Sequence, residues 1–463
     1  MTFALELARL IHERHTGEMT SEAIANAKTV ILDTIGCALA GADEPVVRTL
    51  LATPGLTSRG TISLYGRTEK LDLLSAALVN GASAHALDFD DVNIAMGGHP
   101  TAPVLAALQA LAESRGGNGR DFLLAFLTGF ETETRIARAV NFHHYDKGWH
   151  PTATLGVFGA AAACAKYLGL TVEQTATALA LSVSLSSGVK ANFGTMTKPF
   201  HVGHAARHGL MAALMAREGF TASMEAFEHK QGFFNVYNGK GNFDPKHALS
   251  NWAAPWDIVD PGIGIKLYPC CDSTHSSIDA ILMLMREHGF KTGDIAGMET
   301  LIHPLRLTHV DRPELRTALD AKFSVQYCLA RAAIDGAITF ESFEPEAYQA
   351  ADAKKLMAGV VARPHPDLSQ ATDGNYLTEL TVSLKDGRSF RLQRDRPFGR
   401  TKDDPAPPEL ITRKFEGCAA KVLPFEQAVA LNEAVSSLDA ADNLHDLTNL
   451  WVPTENGRFR KTG

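Results

Sequence analysis

Two nearly identical motifs each place a histidine directly ahead of an apolar run. GGHPTAPVL at 97–105 and GWHPTATLG at 148–156 both read His-Pro-Thr-Ala shortly after a glycine. Proline favours the first turn of a helix, since its missing N–H would have no partner there. His99 and His150 are therefore predicted at helix N-termini, which favour an anion and a neutral imidazole. Such an imidazole acts as a hydrogen-bond partner or proton carrier for a bound carboxylate. Two capping histidines without a ligand give the same pattern.

An acidic stretch, HALDFDDVNIAMGGHP, leads into the first of these motifs. His85 and Asp88 are three residues apart and are predicted on one helical face. A carboxylate there orients an imidazole or holds a lysine, whereas Asp90 and Asp91 also fit an acidic helix end with a solvated turn. Three acids and two histidines suggest a metal, but neither HExxH nor EF-hand spacing is present. No metal is predicted.

Two lysines lie in segments that are rich in possible proton carriers. Lys198 opens KPFHVGHAARH, in which His201 follows three residues later. Among apolar groups and other cations, a lysine loses about 2–4 pKa units and becomes a base near neutrality. A surface lysine is the alternative. Lys266 and His275 flank a Tyr-Pro-Cys-Cys turn in KLYPCCDSTHSSIDA, where the adjacent cysteines suit buried packing better than redox chemistry.

Composition narrows the function classes. The 463 residues favour two domains, and the net charge of −8 with no basic run argues against a nucleic-acid partner. The N-terminal MTFALELARLIHERHTGE predicts an amphipathic helix, and no apolar segment approaches membrane-spanning length without a charge or a glycine cluster. Six cysteines without framework spacing indicate a reducing compartment, so a cytoplasmic protein without a membrane partner is expected.

The chain changes character twice, which predicts a mainly α protein with one inserted domain. Residues 1–263 and 396–463 show helical spacing and are assigned to a large all-α domain. Residues 264–395 mix helices with alternating segments and are assigned to an α+β lid domain. A proline- and glycine-rich segment near 255–264 marks the first boundary.

Local signals place several element ends. Thr20 is predicted to cap a helix that ends near Gly41, and the pair Thr171 and Gln174 predicts a capping box. METLIHPLRL is predicted as a strand, and alternation around Asp386-Gly387 predicts a hairpin.

These segments together resemble the MmgE/PrpD family. The matching stretches are DFDDVNIAMGGHP, GWHPTATLGVFGAAAA, KPFHVGHAARHGLMAALMA and KLYPCCDSTHSSIDA, in order along almost the whole chain. The resemblance implies a large all-α domain with an inserted α+β lid, a homodimer, and neither a metal nor an organic cofactor. It also implies a small di- or tricarboxylate substrate in a cationic pocket at the domain junction.

The resemblance carries site residues onto this chain motif by motif. Asp88, His99, His150, Lys198 and His275 match family positions, and Tyr327 in KFSVQYCLA matches a family tyrosine. Lys198, Tyr145, His150 and His99 are assigned to catalysis. Substrate binding is assigned to a second set, which comprises Asp88, His275, Lys266, Tyr327 and His201.

Known family activities are 2-methylcitrate dehydration, cis-aconitate decarboxylation and iminodisuccinate epimerisation. Decarboxylase- and dehydratase-like members have a threonine after the acidic pair, where this chain has Val92. The missing hydroxyl favours an iminodisuccinate epimerase, with Lys198 and Tyr145 as proton carriers on the two faces of one carbon. The dehydratase is the first alternative and the decarboxylase the second. A non-catalytic helical binding protein and a metallohydrolase are rivals from other classes.

Overall fold

The computed structural model describes residues 1–369 and 376–454. The described chain is mainly helical with small sheets, which confirms the predicted mainly α class. It divides into two compact units, one made of Met1–Ile265 with Thr401–Gly463 and the other of Lys266–Arg400. The assignment of the second unit as a lid stays a prediction.

The first unit begins with thirteen helices and a two-stranded antiparallel sheet. In chain order they are α1 Phe3–Glu13, α2 Ser21–Gly41, α3 Pro45–Ala52, β1 Arg59–Ser63, β2 Lys70–Leu71, α4 Leu73–His85, α5 Thr101–Arg115, α6 Gly119–Val140, α7 His143–Asp146, α8 Pro151–Thr154, α9 Gly156–Leu168, α10 Val172–Val183, α11 Thr197–Arg217, α12 Phe233–Asn238 and α13 Lys246–Leu249. The central helices α4, α5, α9 and α11 pack on one another.

Small residues allow these central helices to approach closely. Gly81 of α4 faces Gly203 of α11, and a Cβ on Gly81 would lie 2.9 Å from the Cα of Gly203. A Cβ on Gly203 would overlap the carbonyl oxygen of Leu78. The alanine-rich sequence therefore brings α4 and α11 together at backbone contact, and the segments that leave these helices become neighbours.

Helix α2 begins and ends where its sequence predicts. The Thr20 side chain accepts a hydrogen bond from the N–H of Ala23, and the helix ends at Gly41, where a Cβ would overlap the Ser83 carbonyl oxygen. Among the described residues, α2 alone is long and apolar enough to cross a membrane, yet 72% of its apolar window is buried. Burial of that extent is typical of a core helix.

The second unit combines six helices with a four-stranded mixed sheet. Its elements are α14 His275–His288, β3 Ile295–Ile302, α15 Pro304–Val310, α16 Ala318–Lys322, α17 Val325–Asp335, α18 Pro345–Tyr348, α19 Ala351–Met357, β4 Val360–Pro364, β5 Thr378–Leu384 and β6 Ser389–Arg394. The strand order is β4-β3-β5-β6, with β3 parallel to β4 and antiparallel to β5. Helices α14 and α17 pack with β3 and β5 around one hydrophobic core.

The chain then returns to the first unit with three helices, α20 Pro408–Ala419, α21 Phe425–Ser436 and α22 His445–Thr448. Helices α20 and α21 pack on α2, so the last helices complete the core that the first ones begin.

Other local predictions are confirmed in whole or in part. Thr171 and Gln174 form the capping box of α10. The strand predicted from METLIHPLRL is confirmed only up to Ile302, where β3 ends, because Pro304 begins α15. Strands β5 and β6 pair antiparallel around the turn at Gly387, which has a φ of 90°. A positive φ explains the glycine in that turn.

The close approach of α4 and α11 predicts a strong difference between two glycine substitutions. Gly203→Ala is expected to lower the free energy of unfolding by about 2 kcal/mol, because the added methyl forces the helices apart. Gly417→Ala is the control, since its Cβ meets nothing within 4 Å. Helix propensity favours alanine there by about 0.5–1 kcal/mol. Chemical denaturation measures both, and equal stabilities would contradict the packing described.

Candidate active site

The acidic stretch forms a buried turn, which differs from the predicted helical face and solvated loop. Helix α4 ends at His85, and Asp88 adopts a φ of 53°, which is uncommon for a residue with a side chain. Asp90 and Asp91 are fully buried, while Asp88 is 9% exposed. Strained backbone of this kind persists where the surroundings hold it in place, and it is common at functional sites.

A continuous chain of ionisable groups runs through this turn. The Lys198 ammonium lies 2.9 Å from Oδ2 of Asp88, and the other Asp88 oxygen lies 3.5 Å from Nε2 of His99. On its far side, Nδ1 of His99 lies 3.4 Å from Oδ1 of Asp90. Both carboxylate oxygens of Asp90 lie within 3.0 Å of Nδ1 of His85. We call these five residues the charge chain.

Burial and mutual contact set the protonation of the inner end of this chain. Burial alone raises the pKa of the Asp90 carboxyl, but the contacts with His85 and His99 outweigh burial and hold that pKa below its usual value. Burial lowers the pKa of His85 to about 4, against the opposing effect of Asp90. At neutral pH, Asp90 is therefore a carboxylate and His85 a neutral imidazole that donates its Nδ1–H to it.

The two His-Pro-Thr-Ala motifs contact each other directly. The N–H of His99 donates to Oγ1 of Thr152, a residue of the second motif, over 3.0 Å. A Cβ on Gly98 would lie only 3.0 Å from that oxygen, so the glycine permits the approach. The repeated sequence thus forms one paired structure.

Both motifs begin helices, as the prolines predict. Pro100 is the N-cap residue of α5, and His150 is the N-cap residue of α8. The second apolar run is divided, however, because α8 ends at Thr154 and α9 begins at Gly156. The long-helix electrostatics expected at both sites therefore apply at His99 but not at the single turn that follows His150.

His150 lies next to His201, and a hydrogen bond joins the two rings. Their Nδ1 atoms are 3.3 Å apart, so one nitrogen donates and the other accepts. Burial lowers the pKa of His150 well below its usual value, and His85 and Lys198 add to the effect. Burial and Lys198 also lower the pKa of His201. A neutral His150 agrees with the sequence-based expectation.

Lys198 differs from its predicted environment in one respect. It was expected among cations and apolar groups, but its ammonium pairs with the Asp88 carboxylate and lies 5.2 Å from the ring centroid of Phe193. The close carboxylate makes Lys198 a charged partner within the chain.

Helix α20, in the C-terminal part of the first unit, contacts the acidic turn after α4 and stabilises it. Lys414 of α20 donates to the carbonyl oxygen of Phe89 over 2.7 Å and pairs with the buried Asp33 of α2 at 2.6 Å. Asp91 accepts from the Thr101 hydroxyl over 2.8 Å, and burial raises the pKa of its carboxyl well above the usual value. The two neighbours of Asp90 in the sequence are therefore held in place, Phe89 by Lys414 and Asp91 by the Thr101 hydroxyl.

Tyr145 is half-buried on α7. The Lys190 ammonium lies over its ring, 3.4 Å from the ring centroid. The charge chain runs instead through histidine, aspartate and lysine side chains. The role of Tyr145 as a proton carrier stays a prediction.

The second unit holds its own cationic cluster. Arg400 pairs with Asp272 and donates to Nδ1 of His275 over 2.8 Å. His275 therefore carries its proton on Nε2, which donates to the carbonyl oxygen of Cys270 over 3.2 Å. Lys266 is fully buried, and together with Arg400 and His275 it holds the pKa of Asp272 below its usual value against burial. A surplus of positive charge in this cluster suits a carboxylate ligand.

Tyr327 and the cysteines belong to the core of the second unit. Tyr327 is fully buried in α17, and its hydroxyl donates to the carbonyl oxygen of Ser342. Its assignment to substrate binding stays a prediction. Cys270 and Cys271 are buried and free, as expected.

Four of the site residues have the donor types of a metal site. His85, Asp88, Asp90 and His99 each offer one atom, and these atoms lie within 4.8 Å of one another. The chain's own hydrogen bonds and ion pairs already engage these side chains, and the Lys198 ammonium provides the cation next to Asp88. We therefore interpret the group as an acid–base array, and metal independence stays a prediction.

Three further residues contact the predicted site residues although none of them was assigned to the site: Asp90, His85 and Arg400. Asp90 and His85 stood in the quoted motif, but the roles of adjacent aspartates differ only once the turn is folded. Arg400 ends a loop and is separated by more than a hundred residues from its partners, so no local signal marked it.

Comparison with protein families identifies the chain. The models of the MmgE/PrpD N-terminal and C-terminal domains match residues 5–246 and 268–440. The chain belongs to the MmgE/PrpD family. The resemblance inferred from the motifs is thereby confirmed.

Similar proteins of the MmgE/PrpD family include two kinds of enzyme. The chain is 31% identical over 454 residues to the cis-aconitate decarboxylase of Homo sapiens, covering 96% of this chain and 93% of the relative. It is 28% identical over 461 residues to that of Aspergillus terreus (strain NIH 2624 / FGSC A1156), covering 94% and 93%. The 2-methylcitrate dehydratase of Escherichia coli (strain K12) is 24% identical over 470 residues, covering 95% and 94%. These relatives support the prediction of an enzyme.

The contact between Lys198 and Asp88 predicts a non-additive effect on stability. Lys198→Met leaves a buried carboxylate without its cation and is expected to lower the free energy of unfolding by about 3 kcal/mol. Adding Asp88→Asn removes that uncompensated charge, so the double variant should be more stable than Lys198→Met alone. Chemical denaturation of both single variants and the double variant measures the coupling. Strict additivity would show that the ion pair contributes nothing.

Proposed function

We propose that this chain is a lyase that acts on a small polycarboxylate, with cis-aconitate decarboxylation as its reaction. The observation that carries the proposal is the buried charge chain, in which a histidine lies between two carboxylates and a lysine pairs with one of them. The decarboxylases among the relatives support the choice of reaction, since they match more closely than the dehydratases.

The proposed reaction needs one proton donor. Loss of CO2 from cis-aconitate breaks a C–C bond, and its electron pair moves across the neighbouring double bond. A proton then adds to the far carbon, which carries a carboxylate, so a trianion becomes a dianion with one proton consumed. Charge develops on that carboxylate as the bond breaks, and fixed donors near it lower the barrier.

His99 is the proposed donor. Its Nδ1 lies 3.4 Å from a carboxylate oxygen of Asp90 and its Nε2 lies 3.5 Å from one of Asp88, so each ring nitrogen faces a carboxylate. Lys198 balances Asp88 and attracts a substrate carboxylate, and the start of α5 adds backbone N–H groups. His150 is neutral and serves as a hydrogen-bond partner for the substrate.

Dehydration is the second candidate, because the dehydratase relatives also cover almost the whole chain. It requires a base at one carbon and an acid for the leaving hydroxyl. A neutral His150 and a His99 that lies between two carboxylates offer that combination.

The iminodisuccinate epimerase predicted from Val92 remains a proposal with less support. Val92 pairs with Gly264 through two backbone hydrogen bonds of 2.7 and 2.8 Å, and its side chain is buried. The backbone contacts do not depend on the side chain, so the valine removes a hydroxyl without changing the turn. This leaves room for a substrate other than that of the relatives.

We further propose a homodimer in the cytoplasm that works without a metal or an organic cofactor, with Lys266, His275 and Arg400 as carboxylate-binding residues. These proposals follow from the resemblance and, for the three residues, from the cluster that they form.

Proton NMR in D2O distinguishes the candidate reactions. Purified protein is incubated separately with cis-aconitate, 2-methylcitrate and iminodisuccinate. Decarboxylation is expected to release CO2 and to leave one deuterium in the product. Water loss from 2-methylcitrate would replace the proposal by dehydration, and solvent exchange with inversion of iminodisuccinate would replace it by epimerisation. No change in any substrate would favour a binding protein.

Removing Lys198 is expected to abolish most turnover. Lys198→Ala should reduce kcat/KM by about 100-fold or more, since a fixed cation at a developing charge is lost. Lys230→Ala, an exposed lysine, is the matched control and should retain activity. Circular dichroism checks folding of both. Full activity of folded Lys198→Ala would contradict its role.

Chelation is expected to leave the activity intact. Dialysis against excess EDTA, followed by assay in metal-free buffer, should retain the initial rate, because the Lys198 ammonium already balances the Asp88 carboxylate in the site. A loss that Zn2+ or Mn2+ restores would instead show that His85, Asp88, Asp90 and His99 bind a metal.

A further inference from the structure

We propose that Asp90 and His85 are positioning residues that hold His99 with a proton on Nδ1, so that Nε2 is the atom that exchanges protons with substrate. The proposal deepens the proposed function and rests on it for the identity of the reaction. Its structural part, the tautomer of His99, can be tested without any activity.

Asp90 contacts the Nδ1 atom of both His85 and His99. Its carboxylate lies 2.9 and 3.0 Å from Nδ1 of His85 and 3.4 Å from Nδ1 of His99. The Asp90 carbonyl oxygen lies 3.3 Å from the same His99 nitrogen. Two acceptor atoms thus face Nδ1 of His99, whereas Nε2 faces one, Oδ1 of Asp88 at 3.5 Å. The nitrogen with more acceptors around it is the one that carries the proton in the neutral ring.

His85 fixes the orientation of Asp90. It is fully buried, and its ring packs edge-to-face against that of His99, with the ring centroids 4.5 Å apart. Its Nε2 is buried without a hydrogen-bond partner among the described residues, so Nδ1 makes the polar contact of this ring. A neutral donor keeps the carboxylate in place without neutralising it, and the charge of Asp90 remains available to His99.

The groups that face His99 come from several elements. Asp88 and Asp90 approach from the turn after α4, and His85 from the end of α4 itself. Lys198 of α11 acts through Asp88, and His150 ahead of α8 lies beyond His85. The Asp88 and Asp90 carboxylates each face one ring nitrogen of His99. Asp90→Asn therefore removes the negative charge that faces Nδ1.

The tautomer can be read in the intact protein. Nitrogen NMR of protein labelled with 15N-histidine, with His99→Gln used to assign the signal, reports which nitrogen is protonated. Above the pH at which His99 becomes neutral, a proton on Nδ1 and a bare Nε2 are expected. A proton on Nε2 with a bare Nδ1 would overturn the proposal, whatever the substrate proves to be.

The kinetic test uses Asp90→Asn, which keeps the size and an acceptor oxygen but removes the charge. For a general acid, kcat should fall tenfold or more, and the high-pH limb of its profile should move about one unit lower, with KM little changed. Asp43→Asn, an exposed position, is the control and should leave the profile unchanged.

A merely structural role predicts a different outcome. Asp90→Asn would then lower the melting temperature but leave the pH profile of the folded fraction in place, which would overturn the positioning role. If Asp90→Asn does not fold, His85→Gln retains one N–H for Asp90 and is expected to show a smaller shift in the same direction. No shift in folded His85→Gln would exclude His85.

Discussion

The first unit depends on one constraint, which is that each of its buried charged side chains needs a partner. An isolated carboxylate is costly to bury, and a partner close at hand reduces that cost. Asp88 has Lys198 and His99, Asp90 has His85 and His99, and Asp33 has Lys414. Because Asp88 and Asp33 have lysine partners on distant helices, those helices can take only arrangements that bring the partners together.

Helix packing with small side chains makes that arrangement possible. Glycine at positions 81 and 203 brings α4 to α11, which carries the Asp88 turn toward Lys198. Gly98 brings the two His-Pro motifs into hydrogen-bonding contact. Helix α20 then supplies Lys414 from the far end of the chain. The alanine- and glycine-rich composition therefore serves catalysis indirectly, through the short distances that it allows.

The same chain of charges gives the site its chemical character. The proposed donor lies between two carboxylates, while burial keeps His85 and His150 neutral. Neighbouring histidines thus differ in their partners, which separates the proposed proton donor from the neutral hydrogen-bond partners. Such separation allows one site to supply a proton and hydrogen-bond partners at the same pH. The second unit has a cluster of its own, in which the cations Lys266 and Arg400 lie with Asp272 and His275.

The sequence by itself determined the family, the mainly α class, the caps of α2 and α10, and the β5–β6 hairpin. These depend on local spacing or on motifs that stand intact in the chain. Tertiary structure alone decided that Asp90, rather than Asp88, orients the imidazoles, that Lys198 pairs with Asp88, and that Arg400 holds His275. The Lys198 and Arg400 contacts join segments that only packing brings together, and the Asp90 contacts depend on how the turn after α4 folds. The pKa values follow from burial and partners, which residue identity does not specify.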